Sequence, residues 1–475
     1  MSVSNLLDIA STGLNAQQMA LNVAGENVTN VNTAGYSRQS VVFDSVQSTT
    51  THGFPLGNGV LVAAIQRNYD SFLQSQMMAA NSASGNATTS NSAMGMVQPL
   101  FSDLTASGLG TSLQSFFNSW QDLAANAGGI PERQVVLSSA QQLVTDFNNI
   151  SNNLTDVKDS MDTSLKGVVT DINDQLQQIA KLNGTIKQAE ISGATANELR
   201  DQRDLLLRQL SGNVGVDTQE QPDGTFNVSL KNGELLVTGT TAGKLMLQPQ
   251  ALPPNYSDIV AIPPGTGAAT TVTGTIGGPN NSLGKLGATI QMRDVTVNSY
   301  LATLDQLAST VATEVNNVFT TGYDLNGVTG GSLFSPAPPA TVTAANLSLS
   351  ISNPSDIAAA DTAPATGGTG NNVIGLKIAA LYDAKLTLPG GSMTMAEFYD
   401  SLVGKVGVDA QASQRAETSS TGTLNQMNNL RESNSGVSLD EELSNLVKYQ
   451  KAYQGAAKLV NVANDMLDAV LGLVR

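Results

Sequence analysis

Apolar residues recur along this chain at two spacings, and the longest run of one of them closes it. From Leu439, steps of four and three pass through Leu443, Leu446, Gln450, Tyr453, Ala457, Val460, Asn464, Leu467, Leu471 and Val474. Only Gln450 and Asn464 break the stripe. A stripe repeating every 3.5 residues is a coiled-coil seam rather than the broad face of a globular helix. Ser438 and Glu441 have the S-x-x-E spacing of a capping box, and Asp440 and Glu442 add negative charge where the helix dipole is positive. The helix predicted over 438–474 is roughly 50 Å long at 1.5 Å per residue. Its face is too narrow to be stable without a partner.

A second seam opens the chain: Leu7, Ala10, Leu14, Gln17, Leu21, Ala24, Val28 and Val31, with Gln17 the one departure. Neither terminus has a neighbour in sequence that could cover its stripe. Packing the first helix on the last solves this, and the chain then leaves and returns through one coiled-coil stalk. Seams this long also favour association with copies of the same stalk. The expected self-assembly surface is therefore Leu7, Ala10, Leu14, Leu21, Ala24, Val28 and Val31, with Leu443, Leu446, Tyr453, Val460, Leu467 and Leu471.

Between the termini the period changes several times. Val60, Val62 and Ala64 alternate ahead of an amphipathic helix, and helical spacing returns over 113–127, 134–150 and 165–186. A helix over 196–210 interleaves Arg200, Arg203 and Arg208 with Glu198, Asp201 and Asp204. Arg200–Asp204 and Asp204–Arg208 have the i,i+4 spacing of ion pairs worth a few tenths of a kcal/mol each. That face reads as a solvated one or as a polar contact between subunits. Asp223-Gly224 and Asn232-Gly233 are hairpin turns with Phe226, Val228 and Leu230 alternating between them, so a β-meander starts near Val214. Helical spacing resumes over 286–319, and 320–370 reads as a second, turn-rich β excursion.

Proline placement draws the same outline. None precedes Pro55, and none lies between Pro131 and Pro222, between Pro279 and Pro336, or after Pro389. Those four windows are where long helices fit. Aromatic residues are 4% and charged residues 13% of the 475-residue chain, which leaves few side chains for catalysis. A net charge of −16 with no Lys/Arg cluster argues against nucleic acid or an anionic membrane as a partner. The absence of cysteine removes disulfides, thiolate zinc sites and thiol nucleophiles. No signal peptide opens the chain and no run reaches 18 apolar residues. Any exit from the cytoplasm must then use a route that cleaves no signal.

Candidate chemistry is sparse. Asp324-Leu325-Asn326-Gly327 begins like an EF-hand loop, but the twelfth position is Ser335 and a third acidic ligand is missing, so a polar turn is expected. His52 is the one histidine and cannot build a zinc site or a triad by itself; it reads as a loop residue. Trp120, beside Phe116-Phe117, reads as core. No catalytic set, metal site or cofactor is expected.

The stretch after the first seam is more specific: Asn27-Val28-Thr29-Asn30-Val31-Asn32-Thr33-Ala34-Gly35-Tyr36-Ser37-Arg38-Gln39. Its Asn residues and Thr33 favour a helix end with capped turns, and Gly35 permits positive φ. Tyr36 and Arg38 can anchor the extended segment that follows. This stretch resembles the N-terminal motif of bacterial flagellar rod, hook and hook-associated proteins, close to A-x-N-N-[IV]-A-N-x-x-T-P-G-Y. Glu26, Thr29 and Ala34 replace its Asn, Ala and Pro, and Ala34 leaves the turn less rigid. Asn27, Asn30, Thr33, Gly35 and Tyr36 keep its framework. Tyr36-Ser37-Arg38-Gln39, Phe116 to Trp120, Asn197 to Asp204 and Ser435 to Glu442 resemble the branch of that family found at the hook–filament junction.

The resemblance implies a structural protein of the flagellum and no enzyme. It implies a homo-oligomer in a helical or ring-like assembly, secreted by the flagellar type III route and placed outside the cell between hook and filament. The implied partners are the hook protein, hook-associated protein 3 and an export chaperone, the last held by the closing helix through Leu443, Leu446, Val460 and Leu467. The expected fold is mainly α with a β-rich insertion. Residues 1–45 with 437–475 form the stalk, 46–212 with 286–320 and 371–436 a helical-bundle middle domain, and 213–285 with 321–370 a β-rich outer domain. Hook or distal-rod protein shares the N-terminal motif, and a secreted coiled-coil adhesin would also suit the two seams.

Overall fold

The computed structural model describes residues 3–47, 49–51, 54–102, 108–250, 256–265, 267–278, 283–336 and 341–473. His52 and the last seam position, Val474, lie outside them. The principal helices are α1 (Val3–Thr29), α2 (Ser71–Val97), α3 (Leu109–Ala125), α4 (Ile130–Ala189), α5 (Asn197–Asn213), α6 (Gly284–Gln291), α7 (Val297–Phe319), α8 (Val373–Ala379), α9 (Met395–Ser435) and α10 (Leu439–Leu473).

The first and last helices do pack on each other, antiparallel. Gly13 lies against Ala456 and Asn27 against Glu442. The same length of chain separates the two contacts on each helix, so the pairing holds one register. The face used overlaps the seam read from the sequence only at Ala10 and Ala24. Ala10, Ala16, Ala20, Val23, Ala24 and Asn27 are buried on α1, roughly a quarter turn around the axis at 100° per residue. Small residues let the two backbones approach closely. Leu7, Leu14, Leu21, Val28 and Val31 are consequently left half-buried.

A two-stranded hairpin lies against α1. In it β1 (Gln39–Ser45) pairs with β2 (Val60–Arg67), with a bulge between Val42 and Phe43. The Phe43 ring meets Tyr449 of α10 edge-on at 6.5 Å. A boundary at 45/46 therefore divides this hairpin, whose second strand belongs with the stalk.

Beyond the hairpin, α4 is one helix of 60 residues, about 90 Å long, where the sequence offered two separate helical stretches. It carries two hydrophobic cores. The first joins α3, α7, α8 and the start of α9 to α4 as far as Met161. The second joins α4 from Leu165 onward to α5, α6 and the sheets. Those sheets are a meander of β3 (Val216–Glu220), β4 (Phe226–Leu230), β5 (Leu235–Thr238) and β6 (Thr241–Ala242), and a three-stranded set of β7 (Lys244–Pro249), β8 (Ser257–Ile262) and β9 (Thr270–Thr271). Both hairpin turns fall where the Asp-Gly and Asn-Gly pairs place them.

The segment 321–370, expected beside these sheets, packs elsewhere. Leu333, Phe334, Val342, Ala344, Leu347, Ile357, Ala358 and Ala359 are buried in the first, helical core. Its apolar residues pack against α3, α4 and α7. Asp324 accepts the Asn326 and Val328 N–H groups at 2.9 and 2.8 Å, so the Asp-Leu-Asn-Gly sequence is a turn whose carboxylate is used internally. Trp120 is fully buried among Phe116 and Phe319.

Candidate functional site: the neck between stalk and body

The motif after α1 forms the neck where the stalk joins the rest of the chain. Asn27, in the last turn of α1, is 1% exposed and uses its whole amide. Its Nδ2 donates to the Gln39 carbonyl at 2.8 Å and to Glu442 Oε2 at 3.1 Å. Its Oδ1 accepts the Tyr36 hydroxyl and the Gln39 N–H, both at 2.9 Å. Burial pushes the Tyr36 phenol well above its ordinary pKa, with Glu26 adding to the effect, so it stays a donor.

Asn30 and Thr33 shape the turn between. The Thr33 hydroxyl donates to Asn30 Oδ1 at 3.0 Å, and Asn30 Nδ2 reaches back to the Glu26 carbonyl. Gly35 sits at φ 86°, and a β-carbon there would lie 3.1 Å from Leu205. The turn needs that conformation and that contact, and glycine supplies both.

Arg38 then ties the two ends of the chain together. Its Nε meets Glu442 at 2.7 Å and its Nη1 meets Glu441 at 2.8 Å, while its backbone N–H donates to the Ser435 carbonyl at 2.8 Å. Glu441, read as the reciprocal partner of Ser438 in a capping box, is thus directed to Arg38. A capping box with both bonds occurs instead at Thr394 and Glu397, opening α9.

The body side of the neck comes from α5. Asp201 accepts the Ser37 N–H and pairs with Arg67, each at 2.8 Å, and Arg67 also holds Asp204 at 2.6 Å. Asn197 donates to Gln39 and to the Ile65 carbonyl, and Arg431 of α9 donates to the Tyr36 carbonyl at 2.7 Å. Burial pushes the Asp204 carboxyl above its usual range against the pull of Arg67. Burial, then the nearby Arg431, brings Arg208 down to about 10.

These bonds correct the reading of α5. Arg200 pairs with Glu190 and Glu220, and Arg208 donates to Gln74. Asp201, Arg203, Asp204 and Arg208 are all buried inside one chain, so the face is neither solvated nor between subunits. Buried charge needs partners, and Arg67 and Gln74, far off in sequence, supply bonds that the i,i+4 neighbours do not. Sequence reasoning therefore missed Arg67, Asn197, Asp201, Arg431 and Glu442 as neck residues. Asn197, Asp201 and Glu442 lie in stretches that resemble the family, but nothing in the sequence showed that those stretches meet at the neck.

Outside the neck, the stalk keeps an open apolar surface. On α10, Leu443 and Leu471 are 53% and 65% exposed, Tyr453 and Leu467 are exposed, and Leu446 and Val460 are half-buried. Among the described residues no group of three or more His, Cys, Asp or Glu could hold a metal ion. No described helix is long and apolar enough to cross a membrane.

Comparison with known proteins adds three family matches. Residues 94–334 match the family described as "Flagellar hook-associated protein FlgK helical domain". Residues 7–36 match "Flagella basal body rod protein", and 431–473 match "Flagellar basal body rod FlgEFG protein C-terminal". The rod-type matches are confined to the two ends. Flagellar hook-associated protein 1 of Bacillus subtilis is 30% identical, with 98% of this chain and 97% of that protein covered. The protein of that name from Salmonella typhimurium is 29% identical over 99% of this chain and all of that protein. In fold, the chain is similar to the flagellar hook junction protein FlgK of Burkholderia pseudomallei, with a TM-score of 0.67 and 18% identity over 75% of this chain and 99% of that one.

Proposed function

Because the chain belongs to the flagellar hook-associated protein 1 family, we propose that its stalk packs with copies of itself into an adaptor ring between hook and filament. It is a structural component of the flagellum at the hook–filament junction, and its role involves no catalytic step. The observation that carries the assembly reading is the apolar stripe left over after α1 and α10 have paired. Leu443, Tyr453, Leu467 and Leu471 face outward from α10, and Leu7, Leu14, Leu21 and Val28 are only half-covered on α1. A stripe of this kind on a paired helix is the surface a neighbouring stalk would cover. Ala10 and Ala24, expected on this surface, are instead buried within the chain; Val31, just past α1, and Leu446 and Val460 on α10 are half-buried at its margin.

In this reading the ring meets the hook protein on one side and hook-associated protein 3 on the other, outside the cell. Before assembly, an export chaperone covers Leu443, Leu446, Val460 and Leu467 while the chain passes through the type III apparatus. The neck motif of Asn27, Asn30, Thr33, Gly35, Tyr36 and Arg38 sets the stalk's direction and need not touch a neighbour.

Two changes test this. Deleting 440–475 is expected to abolish assembly on hook ends and chaperone binding, with both cores still folded by circular dichroism. Replacing Leu443 and Leu467 with Glu keeps the α1–α10 contact and is expected to abolish assembly seen by electron microscopy. Hooks still capped by the double variant would refute the outward stripe as the interface.

A further inference from the structure

The two hydrophobic cores change over at the same level on two separate helices. On α4 the last residue of the first core is Met161 and the first of the second is Leu165. On the helix formed by α6 and α7, the changeover falls between Ile290 and Met292. A π turn, Met292–Thr296, begins there.

The π turn accounts for a feature of the sequence. Leu286 and Ile290, then Val297, Tyr300 and Leu304, fall on one stripe if 3.6 residues per turn is assumed throughout. A π turn takes up about one extra residue, so the two parts of the stripe face in directions roughly a quarter turn apart. One continuous helix can thereby bury its first half in the sheet-bearing core and its second half in the helical core.

What fills the changeover level is polar. Arg293, 0% exposed, pairs with Asp162 of α4 and, at 2.7 Å, with its neighbour Asp294. Tyr256 donates its hydroxyl to Asp159 at 3.0 Å, and the Ser257 N–H donates to Asp162 at 2.9 Å. Lys158, also buried, lies 4.6 Å from the centre of the Tyr256 ring and donates to Asn298 of α7; the Arg293 guanidinium lies 5.3 Å from the same ring. Tyr256 and Ser257 lead into β8, the central strand of its sheet.

We infer that the layer of Lys158, Asp159, Asp162, Tyr256, Arg293 and Asp294 is a latch that fixes the angle between the sheet-bearing core and the helical core. Apolar contact tolerates small rotations, because it is non-directional. A guanidinium bonded to two carboxylates is directional. Arg293 holds α4 and the π turn in one relative orientation, and Tyr256 with Ser257 ties the sheet to α4, the Tyr256 ring facing Arg293. Without the latch the helices still pass through this level, but its set of buried directional bonds is lost.

The test uses the full chain. Because it contains no cysteine, Asn232→Cys in the turn between β4 and β5 and Gln121→Cys at an exposed position of α3, in the helical core, give one defined pair of labels for distance measurement by energy transfer. In the native background one narrow distance distribution and one calorimetric transition are expected. Arg293→Lys keeps a charge but cannot span both carboxylates. With it the distribution is expected to broaden while helical content is unchanged. Arg293→Met is expected to split the calorimetric transition in two. A distribution as narrow as native in the folded Arg293→Lys protein would overturn the latch. So would a single, merely lowered transition in Arg293→Met. Should Arg293→Met fail to fold, Arg293→Lys and Tyr256→Phe, read by distance alone, decide the question.

Discussion

Asn27→Ala is the sharpest probe of the neck. The substitution removes four hydrogen bonds at once and leaves the Gln39 N–H, the Gln39 carbonyl, the Tyr36 hydroxyl and Glu442 short of a partner. A buried polar group left unsatisfied costs about 1–3 kcal/mol. Water entering the space of the lost amide serves some of the four, so a net cost of about 2–4 kcal/mol to stalk opening is expected. At 1.36 kcal/mol per tenfold, that is roughly 30- to 1000-fold faster amide exchange along α1 and α10, with the two body cores unaffected. Mass-resolved hydrogen exchange measures it. Asn30→Ala is the control, because Asn30 is only half-buried and touches only its own turn. Its expected cost is below about 1 kcal/mol. If the two variants exchange alike, or if Asn27→Ala speeds exchange in the body as much as in the stalk, the assignment of Asn27 as the pin of the stalk is wrong.

Other predictions follow from single contacts. Gly85 of α2 crosses α5 at Gly212, and a β-carbon at Gly85 would stand 2.1 Å from the Gly212 carbonyl oxygen. Gly85→Ala should therefore cost about 1–3 kcal/mol in thermal unfolding. Gly95→Ala, on the same helix with nothing within 4 Å, should gain about 0.5–1 kcal/mol. Gly35→Ala combines an unfavourable positive φ with contact against Leu205 and should lose about 1–2 kcal/mol, measurable by calorimetry. Hydrogen bonds from Lys187 and Thr225 hold the Asp223 carboxyl down to about 2. Its folded pKa lies below the unfolded value of about 3.9, so its contribution is present above that value and is lost as pH falls through about 2. An NMR titration of Asp223 should show that midpoint, and Asp223→Asn should remove the hairpin's pH dependence in this window.

Much of the architecture was legible because it is written in periodicity. Paired terminal helices, the Asp-Gly and Asn-Gly hairpins and the neck motif all follow from spacing and turn chemistry. What was not legible has common physical causes. The face by which α1 meets α10 is chosen by small residues, since Ala16 and Ala20 permit close approach where Leu14 and Leu21 do not, and apolar counting favours the leucines. The stripe of α4 does run unbroken through Ile150, Leu154, Val157, Met161 and Leu165 at steps of four and three, but the Asn, Asp and Lys residues between them obscured it. The placement of 321–370 depended on a groove made by helices remote in sequence. At the neck, Asn27 and Tyr36 could be read as turn formers, but Glu442 became the partner of Asn27, and Arg431 that of the Tyr36 carbonyl, only through folding.

The bond from Arg38 N–H to the Ser435 carbonyl has a further consequence. The Asn68 N–H in turn donates to the Arg38 carbonyl at 2.8 Å, so entry to and exit from the body meet at Arg38, and residues 68–434 are an insertion into a stalk of two helices and a β-hairpin. From the standpoint of the stalk, whatever hangs beyond those bonds is exchangeable cargo. Such a scaffold can lose or acquire whole modules without altering the stalk that carries them, provided each module returns the chain to the same point.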